Sequence, residues 1–130
     1  MIGLYRLLRG RGIRLLGQPL LILTTVGARS GRSHSVPLLY FPDGVDRWLV
    51  IASSGGSARH PAWYLNMAHR PDQVWIEVGG RALRVEATSL RGQERAAAWT
   101  RIAAAAHSYA TYQAKTDRLI PVVRLTAVPS

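Results

Sequence analysis

The chain has 130 residues, 48% of them hydrophobic, no cysteine and a formal net charge of +10. That length and composition predict one globular domain with a single core, and the missing cysteines exclude disulfides and thiolate metal sites. No apolar run approaches the roughly 20 residues of a membrane span, and no small-residue cleavage signature follows the N-terminus, so no signal peptide is read and a cytoplasmic location is expected.

The charge is skewed along the chain. Arg6, Arg9, Arg11, Arg14, Arg29 and Arg32 all precede the first acid, Asp43. The basic residues are sixteen arginines and one lysine, Lys115. Two explanations stand: a polyanionic partner such as phosphate, polycarboxylate, nucleic acid or anionic lipid, or the arginine bias of a GC-rich genome.

Residues 2–16 mix seven large aliphatic residues with four arginines, and Gly10 and Gly12 interrupt any helix there. This segment is expected either to touch anionic membranes weakly at their periphery or to pack on the domain that follows. Gln18-Pro19 marks the boundary, dividing an N-terminal segment (1–18) from the body of the domain (19–128). The apolar, β-branched run 20–25 predicts a buried strand. A polar loop over 27–33 leads to a second strand over 34–41, with Val36, Leu38 and Tyr40 on one face. Pro42-Asp43-Gly44 predicts a turn, and 48–53 a third strand, the three being consecutive and antiparallel.

Pro61 suits the first position of a helix reaching about Arg70, before Pro71. Val74, Ile76 and Val78 alternate with Trp75 and Glu77 as a half-buried strand. Gly79-Gly80 permits a hairpin to a strand through Leu83, Val85 and Ala87. Residues 93–106 predict an alanine-rich helix, and 122–127 a last strand opened by Pro121. About six mostly antiparallel strands and two helices give an α+β fold suited to a small barrel.

Three segments carry candidate chemistry. Gly27 to Ser35 offers turning glycines, Arg29 and Arg32, and three serine hydroxyls, which suits a phosphate as well as it suits a solvated hairpin. Ser53 to Pro61 runs from a strand end toward a helix start, an arrangement open to an anion or to an ordinary connection. Tyr109-x-x-Tyr112-x-x-Lys115-x-x-Arg118 offers aromatic faces and hydroxyls for a pocket wall, or simple packing. His34, His60, His69 and His107 lack zinc-ligand spacing, and no serine-hydrolase elbow occurs.

Together, LLILTTVGARSGRSHSVPLLYFPDG (20–44), WLVIASSGGSARHPAWYLNMAHRP (48–71) and YATYQAKTDRLIPVVRL (109–125) resemble the deazaflavin (F420)-dependent nitroreductase family of split β-barrel oxidoreductases. The resemblance spans about residues 20–127. It implies a split barrel that binds F420 in a groove and passes hydride to an organic acceptor such as a quinone, enone or nitroaromatic. It assigns the cofactor to Gly27, Arg29, Ser30, Gly31, Arg32, His34 and Pro37, to Ser53, Ser54, Gly55, Gly56 and Ser57 along the ring and phosphate, and to Trp63 and Asn66. Tyr109 and Tyr112 would border the acceptor pocket, with Tyr109 the candidate proton donor. The chain departs from the family pattern at Ala28, His34, Ser54 and Ala106, which lowers the charge at the tail site and opens the acceptor pocket. F420 also agrees with the charge, since a polyanionic cofactor requires a cationic groove. FMN on the same fold, binding without turnover, and nucleic-acid binding are the competing readings. Nucleic acid is not expected as a partner, because no groove-reading motif occurs. Oligomeric state is left open.

Overall fold

The computed structural model describes residues 2, 3, 6, 14, 15 and 18–129. Among the described residues, eight antiparallel strands form one sheet: β1 (Arg14–Leu15), β2 (Gln18–Val26), β3 (Ser33–Leu39), β4 (Phe41–Pro42), β5 (Arg47–Ile51), β6 (Val74–Val78), β7 (Arg81–Ser89) and β8 (Val122–Ala127). The order is β1-β2-β6-β7-β8-β5-β4, and β3 pairs with β2 on the side away from β6. Besides the helical residues 2, 3 and 6, three helices among the described residues accompany the sheet: α1 (Ala62–His69), α2 (Gly92–Ala105) and α3 (Ser108–Ala114).

The six expected strands are present, and two short ones, β1 and β4, are added. The first three are not a simple meander. β2 and β3 pair from Leu20↔Leu39 to Val26↔Ser33, but β5 pairs with β4 and β8 instead of β3. The reason lies at Pro37, which has no N–H for a further ladder and is tolerated only on an edge strand or at a bulge. The chain then breaks at Tyr40, whose N–H donates to the carbonyl of Pro19 at 3.1 Å. The sheet curls until β3 lies beside β5 without a backbone ladder between them among the described residues. That gap is the split of a split β-barrel.

The strands alternate as their sequence patterns require. Leu21 and Leu23 of β2, Trp48 and Val50 of β5, Val74, Ile76 and Val78 of β6, and Val123 and Leu125 of β8 fill the barrel. Trp63 and Met67 of α1 join this core. β5 is buried on both faces: Leu49 and Ile51 pack outward with Ala98 and Ile102 of α2 and Tyr109 of α3. The third helix was not expected. Its seven residues include two tyrosines and a threonine, so packing rather than propensity holds it.

Ile2 packs against Leu20 and Ile22 on the outside of β2. The Arg6 guanidinium meets the Glu77 carboxylate at 2.8 Å. Ile2 and Arg6 thus both contact the barrel. Most of residues 2–16, where membrane contact was expected, lies outside the described residues. Among the described residues no helix is long and apolar enough to cross a membrane.

A buried carboxylate closes the turn between β4 and β5. Asp43 accepts from Arg124 at 2.5 Å and from Arg101 at 3.3 Å, while Arg47 donates to its backbone carbonyl at 2.9 Å. Burial alone raises its pKa. The hydrogen bonds from Arg124 and Arg101 and the charges of Arg124 and Arg47 together outweigh that effect, leaving the pKa below its ordinary value. The unfolded chain, with a pKa of about 3.9, therefore takes up this proton first as pH falls. Stability from the cluster is complete above about pH 4 and is lost on descending through the lower folded value. Asp43→Asn should cost about 1–3 kcal/mol at pH 7, and its stability should fall less steeply than wild type's below pH 4. Urea unfolding at a series of pH values measures both.

Candidate functional site

Two cavities meet at a common seam. The larger, about 920 Å³, lies between the β2–β3 loop and α1 and is lined by Gly27, Arg29, Ser30 and His34 from the loop and Trp63, Leu65, Asn66 and His69 from the helix. The smaller, about 390 Å³, occupies the split. Its walls are Leu20, Val36, Pro37, Leu38 and Leu39 on one side and Ile51, Ser53 and Tyr109 on the other. Val36, Ser54, Pro61 and Trp63 line both. Arg29 and most of the polar side chains line the larger cavity, and both cavities are walled mainly by apolar surface.

The β2–β3 loop is shaped by its own hydrogen bonds. The Gly27 N–H donates to Arg32 O at 2.8 Å, the Gly31 N–H to Gly27 O at 3.0 Å, and the Arg32 N–H to Ser30 Oγ at 3.2 Å. A Cβ at Gly27 would collide with Ser30 Oγ, so glycine is required for the serine to fold back. Asn66 ties this loop to α1: its amide donates to Thr25 Oγ1 at 3.2 Å, and its Oδ1 accepts from the Ala28 N–H at 3.3 Å. Of the basic loop residues, Arg29 and His34 reach the larger cavity, whereas Gly31 and Arg32 do not line it.

A single 3₁₀ turn over Ser54–Gly56 forms the seam. Ser54 holds a left-handed backbone, φ 46°, unusual for a residue with a side chain. Gly56 has φ 80°, and a Cβ there would lie 2.6 Å from the carbonyl of Tyr112, so α3 sits directly on this turn. Ser53 and Ser54 face the cavities, while Gly56 and Ser57 line neither and build the turn instead. Among the residues expected near the cofactor, Gly31, Arg32, Gly56 and Ser57 thus line neither cavity.

Tyr109 is 6% exposed and borders the smaller cavity. Its ring meets Phe41 and Tyr112 edge-on at 6.1 and 5.7 Å. Among the described residues its hydroxyl has no hydrogen-bond partner. Burial, with a smaller contribution from Tyr112, pushes its pKa up to about 12. Tyr112 lines neither cavity and supports Tyr109 from behind.

Sequence reasoning missed the apolar walls, because Leu20, Val36, Leu38 and Ile51 read as ordinary strand core. Pro37 was the available signal, since a proline inside a strand marks an edge. The tyrosine motif included Arg118, but its reach back to the Ser53–Ser57 segment was missed. Among the described residues no cluster of side chains could hold a metal ion.

The model of the F420H(2)-dependent quinone reductase family matches residues 2–127, and the chain belongs to that family. It is 39% identical over 128 residues to an F420H(2)-dependent quinone reductase of Mycobacterium tuberculosis strain H37Rv, covering 95% of this chain and 85% of that protein. A solved F420-H2 dependent reductase superposes with a TM-score of 0.72 at 38% identity, covering 88% of this chain and 99% of that one. A Listeria innocua protein assigned as a pyridoxamine 5'-phosphate oxidase, 13% identical, shares the fold at a TM-score of 0.59 over 85% and 84% of the two chains.

Because Asn66 joins Thr25, Ala28 and α1, its loss should act through the loop. Asn66→Ala leaves the Thr25 hydroxyl, 1% exposed, without its donor and should destabilise the fold by about 1–3 kcal/mol. Faster amide exchange confined to residues 25–32 and α1 is the expected signature in hydrogen–deuterium exchange.

Proposed function

We propose that the protein reduces quinones with hydride from reduced F420. The observation that carries this reading is the meeting of a cation-rimmed cavity with an apolar one at Ser54 and Trp63. An elongated cofactor with a charged tail and a flat ring needs both environments in that order. Together the cavities match or exceed the 300–1,000 Å³ of small-molecule sites. The names of the relatives above support the same cofactor and acceptor.

The residues present fit F420. Arg29, with the Ser30 hydroxyl and His34, would take its anionic tail and phosphate. Trp63, Val36 and Pro61, which line the passage between the cavities, would take the ring. Bound there, reduced F420 supplies a hydride. The chain's own task is then to orient the acceptor, keep water from the transfer and stabilise the oxygen that gains charge. Val36, Leu38 and Ile51 provide a dry wall for a quinone ring.

Tyr109 is the polar group of that wall. With a pKa of about 12 it stays neutral and remains a hydrogen-bond donor throughout the ordinary pH range. It is a weaker acid than an ordinary phenol, near pKa 10, so it favours holding the acceptor oxygen over delivering a proton to it. Solvent at the cavity mouth would supply the one proton that, with the hydride, completes the hydroquinone. Tyr112 acts only by fixing the Tyr109 ring. A membrane contact gains no support from Ile2 and Arg6, which are engaged on the barrel.

Fluorescence titration should show F420 binding more tightly than FMN, and the reverse order would reject the reading. Arg29→Ala should weaken F420 about tenfold at low salt, with a smaller effect as salt rises. Tyr109→Phe should lower menadione turnover about ten- to a hundredfold with F420 affinity unchanged, the scale of a hydrogen bond to a charged group. Its pH profile between 6 and 10 should match wild type's, because the group that titrates is not Tyr109.

A further inference from the structure

Arg118 lies in the connection after α3, half-buried, and makes no ion pair with an acid among the described residues. Its guanidinium serves three backbone carbonyls instead. Nε donates to Ser57 O at 2.8 Å, Nη1 to Ala52 O at 3.0 Å and Nη2 to Ser53 O at 2.7 Å. Nη1 also lies 3.2 Å from His60 Nδ1, which must accept because the guanidinium can only donate. One planar fork thus holds both ends of the turn that separates β5 from α1.

That turn is under constraint. Ser54 adopts φ 46°, a conformation that costs free energy and persists only where the surroundings impose it. Arg118 pins the carbonyls before and after it, and Gly56 seats it against the Tyr112 carbonyl. The two contacts lock α3, which carries Tyr109, to Ser53 and Ser54, which face the cavities. A lysine has the charge but presents it from a single point, without the planar fork that reaches several acceptors at fixed angles.

We propose that Arg118 is a positioning residue for hydride transfer, fixing the seam between the cavities by clamping the Ser53–Ser57 turn. The proposal rests on the function given above. The clamp acts on the ring and acceptor end, whereas the groups for the anionic tail lie on the β2–β3 loop. Loss of the clamp therefore affects turnover more than cofactor binding.

The test compares wild type, Arg118→Lys and Arg118→Ala by F420 titration, single-turnover oxidation of reduced F420 by menadione, and thermal melting. Wild type that fails to bind F420 would reject the assigned function and leave the clamp unaddressed by this assay's kinetics, so the turn is also followed by hydrogen–deuterium exchange, which needs no cofactor. Arg118→Lys is expected to lose at least tenfold in turnover with less than a threefold change in F420 affinity, and to exchange faster at residues 53–57. Guanidinium chloride at tens of millimolar should restore part of the turnover of Arg118→Ala, while sodium chloride at equal ionic strength should not. Wild-type turnover or wild-type exchange over 53–57 in folded Arg118→Lys overturns the proposal. So does a loss of turnover and binding in equal proportion that tracks the melting temperature without guanidinium rescue. Should Arg118→Ala not fold, the Arg118→Lys result decides alone.

Discussion

Pro37 lies in β3 opposite Ile22 and has no N–H to give to another strand. β3 thereby remains an edge, and the curling sheet cannot seal itself between β3 and β5. Everything at the site follows from that unsealed gap. Val36, Pro37 and Leu38 form one wall of the smaller cavity, and Ile51 and Ser53 form the other. An exposed edge ordinarily invites pairing with another chain, and a proline on it also discourages such pairing. The same residue keeps the gap open and makes its rim a poor template for aggregation.

The division of labour between the cavities is electrostatic. The charged loop is solvent-exposed, so it attracts an anion over some distance without the desolvation cost of burying arginine. In the smaller cavity the hydroxyl of buried Tyr109 stays neutral, and in that low-dielectric surrounding it is worth more than it would be in water. Trp63 belongs to the barrel core and to both cavities at once. Core packing thus fixes the width of the passage between them.

Much of this was legible in the chain. Strand alternation in 74–78, the Gly79-Gly80 hairpin and the proline-started helix at 61 are local patterns, and local patterns survive folding. The resemblance gathered the basic loop, the serine-rich turn and the tyrosine pair into one site, and the cavities bring Arg29, His34, Ser53, Ser54, Trp63, Asn66 and Tyr109 together. What stayed hidden depends on distance. Nothing near Arg118 in sequence marks the carbonyls of Ala52 and Ser53, more than sixty residues earlier. The apolar walls were hidden for a different cause: a leucine facing a cavity and a leucine facing other leucines have the same pattern. The short α3 escaped because its helicity comes from its contacts with the turn and α2.

The position of β8 has a further consequence. It is the last strand in the chain yet lies between β7 and β5, and its residues pair with β5 partners about 75 positions away, as in Leu49↔Arg124. During synthesis the barrel must wait for its final segment before its two halves can join. β5 has apolar side chains on both faces, so until then it presents a sticky strand with one edge unpaired. Such long-range pairing makes folding slow and exposes the nascent chain to misassociation. This interval, rather than the finished barrel, is where a chaperone would have most to protect.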